Sequence, residues 1–429
     1  IYRTSYQLGE REFGRGRPEV LEALVKGAVA RSHLRQYGEA EDLLRLALEP
    51  LDDVPVRYPG LLRQVLLLLG LTQFHQNKLA AAEPLLRRAL KPAKPGERID
   101  ALDWAEGACG LGVICLGTNR YPEAEALLRK GHQLRKATLG AKHPATVGAL
   151  FLLAKTCLCR QKLELAEALF RQVLRSCETP SGHGNPETAE VLGCLGVVLQ
   201  ARGKYAEAEQ RYVQCLEIRE RAPGKEYLDP VSVMGSLAEV RSLLGKHREA
   251  EPLYRQALRV IAARCGEESP EAIEVYGDLA RNRHALGDEK EALGLLGKCL
   301  RISLKINGGN HPKTVEILLN MAKTCSAQGR QADAARLLTR SLRLARNRAF
   351  PPSVREIIVN ALAQSLGDQG KTASANVLWR RGYLLRKSLY GPDHVKTIES
   401  LLGLATTYHK LGRRRRAEPL YRKGLEGCG

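Results

Sequence analysis

Aromatic side chains are scarce in this chain, since Phe, Trp and Tyr make up only 5% of its 429 residues. That share is low for a sandwich with an aromatic core, or for an RNA-binding sheet that stacks bases on Phe and Tyr. Apolar stretches are also short. One example runs from Val65 to Leu71, and none approaches the ~18 residues that a membrane-spanning helix needs. We therefore expect neither a base-stacking sheet nor a membrane span.

Tight cysteine and histidine motifs are missing as well. The eleven cysteines include no C-x-x-C pair, and the ten histidines form neither H-E-x-x-H nor an i,i+4 pair. Zinc sites need four converging ligands, usually supplied as two close pairs. The triplet Gly370-Lys371-Thr372 lacks the earlier glycine and the strand of a phosphate-binding loop. The sequence thus predicts structural cysteines in a reducing compartment, with no metal, no cofactor and no catalytic site.

The residues that are abundant favour helices. Leu and Ala dominate, β-branched runs are scarce, and hydrophobic residues reach 44%, which is enough for a core. One alanine recurs along the whole chain at intervals of 42 residues, with a single interval of 41. Its ten copies are Ala40, Ala82, Ala124, Ala166, Ala208, Ala250, Ala292, Ala334, Ala375 and Ala417.

Two further small-residue positions recur together with that alanine. Gly or Ala stands twelve residues before it in all ten copies, and a small residue stands seven residues after it in nine. Such short side chains let two antiparallel helices approach closely. Five residues before the alanine stands Gly in six copies and Asn in two, Asn77 and Asn119. Because Gly and Asn tolerate the left-handed conformation that ends a helix, each repeat is predicted to be helix A, a tight turn and helix B.

A proline marks the start of several A helices. Side chains able to cap a helix precede it, strongly in Asn185, Asp229 and Ser269 and more weakly in His143 and His311. His143, His311 and His394 share one repeat position, so we interpret them as cap or loop residues rather than metal ligands.

These columns resemble the tetratricopeptide repeat family, whose usual period is about 34 residues. The longer repeat is similar to that of kinesin light chain, for example in Tyr205-Ala-Glu-Ala-Glu, Arg248-Glu-Ala-Glu-Pro-Leu-Tyr254 and Leu389-Tyr-Gly-Pro-Asp-His394. Nephrocystin-like proteins and the sensor arrays of signalling ATPases contain the same long repeat. The resemblance implies an all-α, right-handed α-solenoid of about ten helix-turn-helix (TPR) repeats. We expect a lead-in over residues 1–17 and the repeat array over residues 18–429.

Stacked hairpins of this kind form a concave groove lined by helix A. The resemblance implies a non-catalytic scaffold for protein–protein interaction, a kinesin-light-chain-like adaptor that holds peptide segments of its partners in that groove. Helical periodicity and the resemblance place these residues there: Phe151, Lys155, Gln200, Arg281, His284, Asn320, Lys323, Asn360, Gln364, His409 and Lys410. Lys155, Arg281 and Lys323 share one repeat position and would suit an acidic peptide, the alternative being a solvated face.

Other functions stay open at this point. The formal charge of +20 would also suit a basic surface that binds polyanions, such as RNA, tubulin tails or an anionic membrane. Abundant Glu and few aromatics argue against nucleic acid. The run from Arg413 to Arg416 is either a solvated helix start, a nuclear signal or part of such a surface.

The chain opens at Ile1 and is expected to be a fragment, so it could also be the sensor or regulatory arm of a larger signalling ATPase or enzyme. Kinesin heavy chain and cargo are candidate partners by resemblance only. A cytoplasmic location is expected.

Overall fold

The computed structural model describes residues 17–53, 57–91, 99–177, 186–221, 230–345 and 350–426, which form twenty α-helices and no strand. Numbered α1 to α20, the helices are Pro18–His33, Tyr37–Asp53, Pro59–His75, Leu79–Ala89, Ala101–Gly117, Tyr121–Leu139, Pro144–Cys159, Leu163–Cys177, Pro186–Ala201, Tyr205–Arg221, Pro230–Leu243, His247–Cys265, Pro270–Ala285, Glu289–Asn307, Pro312–Ala327, Gln331–Leu344, Pro352–Asp368, Thr372–Tyr390, Val395–Lys410 and Arg414–Glu426. Odd-numbered helices are the predicted A helices, and even-numbered helices are the B helices. The all-α prediction is confirmed.

The chain divides into two compact units, residues 1–223 with α1 to α10 and residues 224–429 with α11 to α20. Within each unit every helix packs against the next, so each unit is a stack of five helix-turn-helix hairpins. Some successive A helices also touch, as α3 and α5 do in the first unit and α17 and α19 in the second. All but the last residue of the expected lead-in lies outside the described residues. No helix in the described ranges combines the length and hydropathy needed to cross a bilayer.

The recurring alanine lies at the centre of every hairpin, where all ten copies are 2% exposed or less. Four residues further along helix B, a larger side chain covers the small residue of helix A. An added Cβ at Gly112 would lie 2.8 Å from Leu128, and one at Gly196 would lie 2.5 Å from the Tyr212 ring. The small-residue columns therefore mark helix–helix contacts, as predicted.

The turn position has a positive φ in all ten hairpins. Its six glycines have φ between 73° and 80°, and Asn77 and Asn119 have φ 60°. The remaining two are Arg35 and Gln161, both at φ 58°. A residue with a Cβ adopts this conformation at a cost of roughly 1–2 kcal/mol, so hairpin packing imposes the turn even where the local sequence disfavours it.

Histidine caps three of the A helices. The Nδ1 atoms of His143, His311 and His394 each accept a hydrogen bond, at 3.2 Å, from the backbone N–H two residues later. The prediction that they are cap residues is thus confirmed. Ser269 is different, because its hydroxyl is buried and forms no capping hydrogen bond to α13, so the predicted cap is wrong there. Asn185 and Asp229 lie outside the described residues.

A buried glutamate joins neighbouring hairpins in the first unit. The Glu125 side chain is 3% exposed and lies 2.6 Å from Arg129, one turn further along α6, and 2.9 Å from Lys162 of the next hairpin. Arg160 donates a third hydrogen bond to the same carboxylate. Burial alone would raise the pKa of Glu125, but the hydrogen bonds from Lys162, Arg160 and Arg129 outweigh it and lower that pKa to about 2.

The same arrangement recurs at the residue that follows the alanine, which we call the glutamate column. In four other members the carboxylate also forms an ion pair with a base of the next hairpin, namely Glu41 with Lys78, Glu83 with Arg120, Glu167 with Lys204 and Glu251 with Arg283. Of these, Glu83 and Glu251 are half-buried. On α14, α16 and α18 the column changes to Leu293, Ala335 and Asn376, and Asn376 donates to Thr407 at 2.8 Å. Charged contacts therefore link the described hairpins of the first unit, whereas the column is uncharged in three hairpins of the second.

Candidate functional site

A pocket of about 610 Å³ lies in the first unit, between the hairpins α7/α8 and α9/α10. All four helices contribute to its wall. Its apolar side chains include Val147, Phe151, Leu174, Val191 and Ile218. The volume is that of a typical ligand-binding cleft, so the pocket has room for several side chains of a bound segment.

A glycine and a pair of aromatic rings shape this pocket. An added Cβ at Gly148 of α7 would meet nothing within 4 Å, so the pocket reaches the helix backbone there. Three residues further on, the Phe151 ring packs edge-on against the buried ring of Phe170, with centroids 5.8 Å apart. This contact holds Phe151 in place as a firm part of the wall.

Charges of both signs surround the apolar part. Three basic and three acidic side chains also line the pocket, namely Lys142, Arg211 and Arg221 with Glu187, Glu190 and Glu217. Lys155 is adjacent, because its Nζ lies 3.3 Å from Glu190 Oε1 and 5.3 Å from the centroid of the Phe151 ring. The balance of charge suits a segment that carries both acidic and basic side chains.

The three predicted groove residues of the first unit do not all lie at the pocket. Phe151 lines the pocket, and Lys155 is joined to it through Glu190. Gln200 lies about two turns of α9 beyond the lining residues of that helix, and its Oε1 accepts a hydrogen bond from Tyr212 at 3.1 Å. Gln200 therefore belongs to the packing near the hairpin turn and does not line the pocket.

In the second unit, two predicted groove residues already have acidic partners. Arg281 forms an ion pair with Asp278 on the same helix, and His284 Nδ1 lies 2.7 Å from Glu289 Oε2. Burial raises the pKa of Asp278 to about 6, although the nearby positive charge of Arg281 acts in the opposite direction. An acidic peptide would have to compete with these partners.

Other predicted residues of the second unit reach solvent. Lys323, His409 and Lys410 are exposed and have no ion-pair or side-chain hydrogen-bond partner within the described ranges. Gln364 is exposed and donates to Asp368 at 2.8 Å, while Asn320 is half-buried.

The expectation for Asn360 is corrected by the structure. This residue is only 5% exposed, and its Nδ2 donates to the Glu356 carbonyl at 2.7 Å. Its Oδ1 accepts from Ser400 of the next A helix at 2.8 Å. Helix B comes this close because Gly382 has no side chain, and an added Cβ there would collide with the Asn360 amide. Asn360 is thus a packing residue and cannot contact a partner in the groove.

Helix A periodicity also missed half of the pocket, because Leu174, Arg211 and Ile218 come from B helices. One signal was present. Ile218 continues the apolar spacing of α10 three residues beyond the small residue Cys215. The apolar periodicity of helix B, taken to the end of α10, therefore predicts that Ile218 faces a neighbouring helix.

The described cysteines that are buried are poor nucleophiles. Burial raises the pKa of Cys115 to about 11 and that of Cys299 to about 12, so both thiols stay protonated at neutral pH. Among the residues that the structure describes, no group of three or more His, Cys, Asp or Glu side chains could hold a metal ion. The pocket therefore offers shape, apolar surface and charge to a ligand.

Comparison with known proteins shows which family the chain belongs to. The sequence matches the family model of the tetratricopeptide repeat over residues 105–179, 187–263, 233–305, 271–347 and 354–428. No curated protein matches it.

The chain is also similar to solved structures, one of which has a TM-score above 0.5 and shares the fold. The apo form of RapI is 15% identical with a TM-score of 0.53, over 85% of this chain and 97% of that one. The apo quorum sensor NprR from B. thuringiensis is 12% identical with a TM-score of 0.46, over 96% and 99%. TPR-like repeats of a Podosopora anserina protein described as a kinesin light chain are 24% identical with a TM-score of 0.42, over 47% and 96%.

Proposed function

Because the chain belongs to the tetratricopeptide repeat family, we propose that it is a non-catalytic scaffold that binds a segment of a partner protein in the pocket between α7/α8 and α9/α10. The observation that carries this proposal is the pocket itself, an apolar cleft of about 610 Å³ with charged side chains of both signs in its wall. Segments bound in such grooves anchor through a few buried side chains.

The chemistry of the wall specifies the partner segment. An apolar side chain would lie against Phe151 and Val191, where water is displaced from both surfaces. Acidic and basic side chains on either side of it would meet Lys142, Arg211 or Glu217. We propose a segment of mixed charge in place of the acidic peptide expected from Lys155, Arg281 and Lys323, since two of these three cations already pair with carboxylates.

The test is to fill the pocket without disturbing the helix. Gly148→Trp places an indole where an added Cβ meets no atom within 4 Å, so α7 should stay folded while the pocket loses much of its space. Gly294→Trp is the matched control, because Gly294 is also an exposed helical glycine with no atom within 4 Å of an added Cβ. Peptides are first selected on the full wild-type chain from a displayed library of random sequences.

We expect the selected peptides to bind the Gly148→Trp chain at least about 10-fold more weakly, since even one hot-spot contact commonly contributes 1.4 kcal/mol or more. Titration calorimetry measures the affinities, and far-UV circular dichroism checks that both variants fold. The Gly294→Trp chain should bind as the wild type does. Equal affinity of all three chains, or a library that yields no binding peptide, would refute the proposed site.

A further inference from the structure

Positive charge is concentrated near the end of the sequence. Residues 330–429 contain 20 Lys and Arg but only 7 Asp and Glu, whereas residues 1–329 contain 47 and 40. Most of the +20 charge therefore lies in less than a quarter of the chain, all of it in the second unit.

Much of this charge is on the outer sides of the last three B helices. Exposed Arg or Lys side chains recur at helical spacing on α16 (Arg336, Arg340 and Arg343), on α18 (Arg380, Arg381 and Lys387) and on α20 (Arg415, Arg422 and Lys423). We call these nine residues the basic face. Helix α18 contains no acidic residue.

The basic face follows the repeat. Arg340, Arg381 and Lys423 each stand six residues after the recurring alanine, so consecutive hairpins present one cation apiece at the same position. Within the described residues none of these three side chains has an ion-pair or hydrogen-bond partner. Their charges are therefore available to an external anion.

Two aliphatic side chains lie among these cations. Val377 and Leu384 are 68% and 56% exposed and lie two helical turns apart on one side of α18. Viewed down the helix axis, Arg380 projects on one side of this pair and Arg381 on the other. A soluble polyanion makes little use of exposed aliphatic groups. Basic side chains around an apolar stripe are instead the combination that binds the boundary between lipid headgroups and acyl chains.

We propose that the basic face binds the surface of a membrane that contains anionic phospholipid. Arg and Lys bind the headgroup phosphates, the former through two parallel N–H donors. Val377 and Leu384 enter the headgroup–acyl boundary. The aromatic residues of these helices, such as Trp379, Tyr383 and Tyr421, are half-buried, whereas single-stranded nucleic acid binds through stacking on exposed aromatic rings. This function adds to the proposed peptide binding and uses other residues.

The test is flotation of the full chain with phosphatidylcholine vesicles, with and without phosphatidylserine. The variant is Arg340→Gln, Arg381→Gln and Lys423→Gln together. The hairpins with α8, α10 and α12 already carry Gln172, Gln214 and Gln256 at that repeat position, so the fold should accept glutamine. We expect wild-type binding only with phosphatidylserine and roughly 100-fold weaker binding of the variant, since each cation near an anionic surface contributes about fivefold.

The matched control removes the same charge elsewhere. Lys91→Gln, Arg175→Gln and Arg259→Gln change three exposed cations outside the basic face and should leave vesicle binding within about threefold of the wild type. Equal losses in the two triple variants would show that net charge alone acts, and would overturn the proposal. So would a wild-type chain that does not float with phosphatidylserine vesicles at low salt.

A second variant separates the membrane from soluble polyanions. Leu384→Ser should weaken vesicle binding several-fold while binding to polyuridylate RNA and to polyglutamate stays unchanged. If the wild type binds either soluble polymer through the basic face and Leu384→Ser has no effect on vesicles, the partner is a polyanion and the membrane proposal is wrong. The peptides selected for the pocket should bind all these variants normally, so the two proposals can fail independently.

Discussion

Replacing Glu125 by Gln should destabilise the first unit by about 2 kcal/mol at neutral pH. The pKa of Glu125 is about 2 in the folded chain, against 4.5 for an unperturbed glutamate. At about 1.4 kcal/mol for each pKa unit, the ion pairs contribute at most ~3.5 kcal/mol. The loss should be smaller, because Arg129 and Lys162 are 49% and 41% exposed and can turn to water once the carboxylate is gone.

The pH dependence of this effect has a fixed sign. Since folding lowers the pKa of Glu125, its stabilisation is fully present above pH 4.5 and is lost as the pH falls towards 2. The difference in unfolding free energy between the wild type and Glu125→Gln should therefore be constant around neutral pH. It should shrink steadily below about pH 4.5, where the carboxylate of the unfolded wild type takes up a proton, and vanish near pH 2, where the folded carboxylate also becomes neutral.

Urea unfolding followed by far-UV circular dichroism measures the difference, and hydrogen exchange of the α6 to α8 amides shows whether it is local. The control is Glu164→Gln, whose carboxylate is 78% exposed and lies 3.4 Å from Arg202. That variant should lose less than about 0.5 kcal/mol. Equal losses in both variants, or a Glu125→Gln deficit that persists in acid, would show that burial of the carboxylate is not what matters.

Two further substitutions test helix packing and a buried charge. Gly196→Ala should destabilise the first unit by about 1–3 kcal/mol, because the new Cβ would lie 2.5 Å from the Tyr212 ring, whereas Gly193→Ala, with its Cβ 3.6 Å from Cys215, should be neutral or stabilising. Thermal unfolding compares the two, and equal effects would contradict the packing argument. Asp278→Asn should stabilise the second unit by about 1–2 kcal/mol at neutral pH. Burial raises its pKa to about 6, so ionisation costs stability as the pH rises from 3.8 through 6. Urea unfolding should show the gain at neutral pH and none below pH 3.8; a less stable variant at neutral pH would refute this reasoning.

The hairpins could be predicted from the sequence because their determinants are local and repeated. An alanine that recurs about every 42 residues indicates a helix–helix contact, even when the partner helix has not been identified. The turn was equally visible where it holds glycine. At Arg35 and Gln161 it was not visible, and only the constancy of the repeat indicated the same backbone conformation.

The binding face was harder to predict, because exposure depends on side chains from several helices. Asn360 has the spacing of a groove residue, yet it is buried because Gly382 and Ser400 allow two other helices to approach it. The pocket beside Phe151 likewise depends on where Arg211 and Ile218 of α10 lie in space. Periodicity within one helix carries no information about such neighbours.

The role of the glutamate column was not predicted, for a different reason. A glutamate follows the recurring alanine in seven of the ten repeats, so the signal was present in the sequence. Its importance comes from the basic residue at the next turn, such as Lys78 for Glu41, which lies 37 positions away along the chain. The relation appears only when adjacent repeats are compared as pairs.

The glutamate column also bears on how such a chain can change its length. A repeat such as the one with Lys78 and Glu83 supplies a base to the hairpin before it and an acid to the hairpin after it. If recombination copies or removes one such segment whole, every junction in that region still receives one acid and one base. Insertions and deletions in multiples of 42 residues can therefore accumulate there during evolution without leaving a charged side chain unpaired between hairpins.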